Sequence, residues 1–244
     1  MKKSSENYFY KNAFSMLELV FVIVIIGILA ATIIPQTKTN PLQEAAVQLA
    51  SHIKYTQHLA MMDDRYDSSN IDSNGTVKWY KERWQLVFSN NANTDDQLGY
   101  TIFSDHKDDS SGEPNIDEIA KNPQNPNQLM SGGYTGTVKL KIGHSDFMGM
   151  KKLNIGKTYA VISVTFSDSC DGSNGSATRI SFDHLGRPMQ GDHNTVTSPN
   201  NTATPYDPAK QRLITSNCIV KLRDGNDYIN IIIRPETGYT TIEY

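Results

Sequence analysis

Hydrophobic and polar positions follow three different rhythms along the chain, and each rhythm marks a region. The first is continuous: Phe14 to Pro35 reads FSMLELVFVIVIIGILAATIIP, apolar on every side, with Glu18 its one charged residue. About 20 apolar residues are needed to cross ~30 Å of hydrocarbon, so on length alone this stretch is expected to span a membrane. Lys2, Lys3 and Lys11 precede it against Glu6, which by the positive-inside rule keeps the N-terminus cytoplasmic and sends the rest of the chain outward. A secretory signal peptide is the competing reading, but Gly27, Ala30 and Ala31 lie inside the run and no A-x-A-like site follows it. An acid in such a segment either snorkels to the interface or waits for a partner.

The second rhythm has a helical period. Leu42, Ala45, Leu49, Ile53, Thr56 and Ala60 recur at helix spacing, while Gln43, Glu44, Ser51, Lys54 and Gln57 fall on other faces. Asn40-Pro41 supplies a favoured N-cap and a favoured first helical residue, so an amphipathic helix is expected from Pro41 to about Met62. Its apolar stripe should pack on the domain that follows, with a partner-binding face as the alternative.

Strands and polar loops make the third rhythm, from Asp63 onward. Strands are expected at 83–88, 100–103, 137–142, 159–166, 178–182, 218–222, 228–233 and 239–244. Asp224-Gly225-Asn226-Asp227 between two of them is a hairpin turn, and Pro235 and Gly238 mark another. Residues 104–133 read as one long exposed loop rich in Asp and Glu, among them Asp105, Asp108, Asp109, Glu113, Asp117 and Glu118. Those acids are either a solvated face or calcium ligands, although no twelve-residue calcium loop is spaced among them.

Composition removes several functions. Lys+Arg 23 against Asp+Glu 26, a net charge of −3, gives no general attraction for nucleic acid. The two cysteines, Cys170 and Cys218, are too few for a cysteine-only zinc site; in an oxidising compartment they would form a disulfide, the alternative being two buried thiols. No hydrolase elbow, P-loop or zincin helix is present, and His184 beside Asp183 would point to the opposite face of a strand. His106, His144 and His193 fall in polar loops. Neither an enzyme, a metal nor a cofactor is indicated.

Ala13-Phe14-Ser15-Met16-Leu17-Glu18, the apolar helix and Pro35 together resemble the leader and N-terminal helix of type IV pilins and type II secretion pseudopilins. The resemblance implies cleavage between Ala13 and Phe14 by a prepilin peptidase, N-methylation of Phe14, a helix kink at Pro35, and assembly in which Glu18 meets a neighbour's N-terminal ammonium. The residue before the cut is usually Gly in that family, and here it is Ala13. A second pattern, Ile180-Ser181-Phe182-Asp183-His184-Leu185-Gly186-Arg187-Pro188 with Ile233-Arg234-Pro235-Glu236-Thr237-Gly238-Tyr239, is similar to the C-terminal strands of H-type minor pseudopilins and FimT-like minor pilins. DNA-uptake members carry a basic Gly-Arg-x-Arg turn, whereas this chain has Gly238-Tyr239-Thr240-Thr241.

The expected architecture is α+β: a long N-terminal helix, transmembrane half plus amphipathic half, packed on a mainly antiparallel sheet. Its parts would be a leader at 1–13, an assembly helix at 14–35, a linker and amphipathic helix at 36–62 and a β-rich domain at 63–244. By resemblance the chain would be a non-enzymatic minor pseudopilin of a periplasmic type II secretion pseudopilus. Its partners would be other pilin-like subunits, prepilin peptidase, an inner-membrane assembly platform and the membrane itself through 14–35. Single-pass inner-membrane placement, followed by assembly into the filament, would go with this. The alternative is a minor type IV pilin serving DNA uptake or adhesion as a filament-tip binding module.

Overall fold

The computed structural model describes residues 15–33, 40–63, 65, 67, 69, 82–106, 112–171, 179–190 and 213–244. The chain divides into two compact units, Met1–Asn40 and Pro41–Tyr244. In the first, helix α1 runs Met16–Ile33. The second is mixed α and β, with every strand pair antiparallel.

Within the described residues the apolar run does not make a membrane span. Helix α1 has 18 residues, which rise about 27 Å at 1.5 Å each, short of the ~30 Å hydrocarbon layer. Among the described residues no helix is long and apolar enough to cross a membrane. This overturns the transmembrane half and the single-pass inner-membrane placement.

Helix α2, Pro41–Met62, begins and ends where the Asn40-Pro41 signal and the apolar stripe place it. It buries Leu42, Ala45, Ala46, Leu49, Ala50, Ile53, Thr56 and Ala60. All of these except Thr56 share one apolar cluster with Leu86, Phe88, Tyr100, Ile102, Ile180, Phe182, Val220, Leu222, Ile229, Ile231 and Ile233. Two four-stranded sheets supply those partners. One has the order β2-β1-β6-β7, from Gly99–Ser104, Trp84–Ser89, Arg179–Phe182 and Pro188–Gln190. The other is β10-β9-β8-β5, from Thr240–Glu243, Tyr228–Ile233, Cys218–Arg223 and Ser163–Phe166. Helix α2 touches β1 and β6 of the first and β8, β9 and β10 of the second, so one amphipathic helix closes the core of both sheets.

The described residues of the 104–133 stretch, 104–106 and 112–133, are not one exposed loop. It carries a small β-pair, β3 at Lys121–Asn122 with β4 at Asn125–Leu129, and its backbone docks on the edge of β2: Ile102 N–H donates to the Met130 carbonyl at 2.9 Å, and Ala120 N–H to the Ile102 carbonyl at 2.9 Å. Ile119 and Leu129 then join Val87, Phe103, Tyr134 and Leu140 in a second apolar cluster. Successive residues of a strand face opposite sides. Leu86, Phe88 and Ile102 therefore face α2 while Val87 and Phe103 face this second cluster, and β1 and β2 are buried on both sides.

Two strand boundaries also differ from expectation. Val138–Leu140 is a 3₁₀ turn capped by Thr137, whose side chain accepts the Lys139 N–H, in place of a strand at 137–142. Residues 159–162 are not strand either: a short helix α3, Ile155–Tyr159, is stopped by Ala160 at φ +57, and β5 begins only at Ser163. The Asp224–Asp227 hairpin forms as expected between β8 and β9. Its Asp224 carboxylate accepts the Asn226 and Asp227 N–H groups at 3.1 and 2.9 Å. Those backbone bonds hold its pKa below the usual carboxylate value.

Candidate assembly site

Helix α1 begins with a reciprocal cap. Glu18 N–H donates to Ser15 Oγ at 3.2 Å, while Ser15 N–H and Oγ–H donate to Glu18 Oε2 at 3.1 and 3.2 Å. This is the capping box of a Ser-x-x-Glu sequence, which satisfies orphan amide donors at the first turn and sets a negative charge at the positive end of the helix dipole. Glu18 is thus held by its own helix and stays solvent-exposed. Beyond it, residues 16–30 are exposed around the whole circumference, including Leu19, Phe21, Ile23, Ile25, Ile26, Ile28 and Leu29. A helix apolar on every side is stable only when other apolar surface covers it. Ala13, Phe14 and Pro35, expected for cleavage, N-methylation and kinking, lie outside the described residues.

The second feature is the seat of α2, which sequence reasoning did not find. Gln57 Nε2 donates to the Gly186 carbonyl at 2.7 Å and to the Thr237 carbonyl at 2.8 Å. One side-chain amide thereby joins the two C-terminal turns to each other and to α2. Both turns need glycine. Gly186 and Gly238 have φ +77 and +63, and a Cβ on Gly238 would lie 2.4 Å from Gln57 Nε2 and 2.7 Å from the Gly186 carbonyl oxygen. The glycines of the two turns were visible in the sequence; that they converge on Gln57 is decided by the pairing of β6 and β9 within different sheets.

Arg187 is spent locally. Its Nε donates to Asp183 Oδ2 at 2.7 Å, and its N–H to Asp183 Oδ1 at 2.8 Å. Leu185 N–H adds a third bond to the same carboxylate at 3.0 Å. Asp183 is buried and His184 exposed, but both lie in the turn after β6 and not on a strand, so strand alternation does not account for the difference. Arg234 is exposed beside the uncharged Gly238 turn.

A polar seam joins α2 to the first sheet and to α3. Gln48 Nε2 donates to Tyr100 Oη at 2.9 Å and to the Lys152 carbonyl at 2.9 Å, and Gln48 Oε1 accepts from Tyr159 Oη at 2.9 Å. The Tyr100 hydroxyl also shares a hydrogen bond with His52 Nδ1, 2.6 Å away. Burial pulls the His52 pKa down to about 4, because a charged imidazole would lose water without gaining a carboxylate. Tyr100, fully buried, is pushed far above the usual phenol range by the same cause.

Three acids of 104–133, Asp105, Glu113 and Glu118, serve the fold. Asp105 Oδ2 accepts the Gly112 N–H at 2.8 Å, and the Glu118 carboxylate accepts the His106 and Asn115 N–H groups at 3.1 and 2.9 Å. Glu113 accepts from Tyr134 Oη. Among the described residues no group of three or more His, Cys, Asp or Glu is placed to hold a metal ion; Asp108 and Asp109 lie outside them. Cys170 and Cys218 form a disulfide, with Cα atoms 5.3 Å apart.

Comparisons with protein-family models, with curated proteins and with solved structures return no match to this chain.

Proposed function

We propose that this chain is a structural subunit of a pilin-like filament, a minor pseudopilin of the type II secretion class, which assembles through its N-terminal helix. The observation that carries the proposal is α1: an exposed helix, apolar on all sides, with its single acid at the first turn. Nothing in the folded unit needs such a helix for its own core, which α2 already closes. Stacked against the α1 helices of other subunits it would bury its apolar circumference, at roughly 25 cal/mol for each Å² removed from water. Glu18 would then exchange Ser15 for the ammonium of a neighbouring Phe14. A carboxylate and an amine that are costly apart in a dry bundle are far less so together, and their pairing sets the register.

In this reading α1 is the assembly helix, and α2 is the helix that packs on the antiparallel sheets. Prepilin peptidase removes residues 1–13, Phe14 is N-methylated, and the partners are other pilin-like subunits and an assembly platform. The disulfide fits an oxidising compartment. The binding-module reading has less support, because Arg187, one of two arginines near the C-terminal turns, is held by Asp183.

Two measurements test the proposal. Glu18→Gln keeps the shape and removes the charge; sedimentable assemblies recovered from the host should fall at least about tenfold, the equivalent of ~1.4 kcal/mol per contact, with thermal unfolding of the sheet domain unchanged. Assemblies at the normal level in that variant would end the reading. Intact mass of the mature protein should show loss of the first 13 residues and one added methyl group.

A further inference from the structure

Gln57 and Met61 stand one turn apart on the same face of α2. Gln57 spends both hydrogens of its Nε2 on the Gly186 and Thr237 carbonyls. Met61 fills the same space from the next turn: a Cβ on Gly186 would lie 2.9 Å from Met61 Sδ, 3.2 Å from its Cγ and 3.1 Å from Gln57 Nε2. The thioether is therefore packed on the glycine whose carbonyl Gln57 holds. Each turn also closes on a backbone bond of its own, Gly186 N–H to the Asp183 carbonyl at 2.9 Å and Gly238 N–H to the Arg234 carbonyl at 3.0 Å. Those two amides register whether the turns are shut.

Access separates this methionine from those of the core. Met61 is 48% exposed, whereas Met130 and Met189 are buried at 1% and 6%. A dissolved oxidant thus reaches the Met61 sulfur in the folded chain. The thioether is apolar and at most a weak acceptor, so it can lie against Gln57 without competing for its hydrogens. A sulfoxide is polar, and its oxygen would be a third acceptor facing a nitrogen with two hydrogens. Either one acceptor then goes without a donor, or the oxygen turns to water and the side chain lifts off Gly186. The first outcome removes a hydrogen bond of the junction and the second opens both to solvent.

We infer that Met61 is an oxidation-sensitive latch: a peroxide converts its thioether to the sulfoxide, which loosens the hold of Gln57 on the two C-terminal turns, and reduction of the sulfoxide restores it. The sulfur lone pair attacks one peroxide oxygen, the S–O bond forms and the O–O bond breaks. The departing hydroxide takes the proton of the new S–OH group and leaves as water, so sulfur loses two electrons and the peroxide gains them. This inference does not rest on filament assembly.

The test treats the folded full chain with hydrogen peroxide, maps oxidised methionines by peptide mass, and reads amide hydrogen exchange. Met61 should oxidise at least about tenfold faster than Met130 and Met189. Amides in 184–187 and 236–239 should then exchange at least about tenfold faster, while those in 85–88 and 100–103 stay within about twofold. Methionine sulfoxide reductases for both epimers should bring the two turns back. Met62, 72% exposed, oxidises as well, so Met61→Leu is the control: it keeps the apolar contact, and peroxide should leave its turns unchanged. Full oxidation of Met61 with no change in the turns would overturn the inference. So would the same acceleration in Met61→Leu, or a Met61 that oxidises no faster than Met130.

Discussion

Helices α1 and α2 are of similar length, 18 and 22 residues, and have opposite relations to their surroundings. Along α2 the apolar positions form one stripe, and the stripe is buried; Leu49 and Ala45 are 0% exposed. In α1 they cover the circumference, and those from Met16 to Ala30 are exposed, Ile25 at 54%. The difference shows that hydrophobicity alone does not place a helix in a core. A core accepts a stripe that matches the curvature of its sheets, and the apolar surface left over must find cover beyond the folded unit.

Substitutions can break this contrast, and the largest effect should come from the buried helix. Leu49→Ala removes a fully buried side chain between both sheets and should lower unfolding free energy by about 2–5 kcal/mol in urea titration. Ile25→Ala on α1, a chemically similar truncation, should change domain unfolding by less than about 0.5 kcal/mol and reduce assembly. Equal costs at the two sites would mean that α1 is part of the folded core.

Acid provides the next test. The folded pKa of His52 is about 4 against 6.5 unfolded, so the unfolded chain binds more protons between those values. The contribution of neutral His52 is complete above pH 6.5 and is lost as pH falls toward 4, by up to about 3 kcal/mol. His52→Gln should remove that part of the pH dependence, and an unchanged slope between pH 6.5 and 4 in the variant would place the acid sensitivity elsewhere.

Smaller effects belong to single polar contacts. Gln57→Ala leaves the Gly186 and Thr237 carbonyls without their shared donor and should cost about 1–2 kcal/mol in thermal unfolding. Ser15→Ala removes one half of the α1 capping box. It should lower the helicity of α1 by the equivalent of about 1 kcal/mol, with no change in the midpoint of domain unfolding. A shift in that midpoint would break the independence of the two units.

Much of the local structure is legible from the chain. Helix α2 follows from Asn40-Pro41 and a helical stripe, the β8–β9 hairpin from Asp224-Gly225-Asn226-Asp227, and the capping box from Ser15 and Glu18, because each is settled by residues within four positions of one another. The long polar stretch at 104–133 misled because its polar residues outnumber the apolar pairs Ile119-Ala120 and Leu129-Met130, which pack against β1 and β2. Those pairs were the available signal; their partners lie in strands that only the fold brings near. The membrane span failed for another reason. Residue type set the apolar character of Phe14 to Pro35, but the length of hydrogen-bonded helix decides what thickness it can cross.

What the sequence determined by itself is therefore the set of local commitments: where α2 begins, where the chain turns, which acid sits at the start of the apolar helix, and which two cysteines are available. Tertiary structure decided which of these meet. It put Gly186 and Gly238, far apart in the chain, on one Gln57, turned Asp105 and Glu118 toward backbone amides, and joined Cys170 to Cys218. The physical reason is range. Caps, turns and periodicity are governed by near neighbours, whereas buried polar groups and close-packed glycines are satisfied only by atoms that the packing of the sheets against α2 delivers.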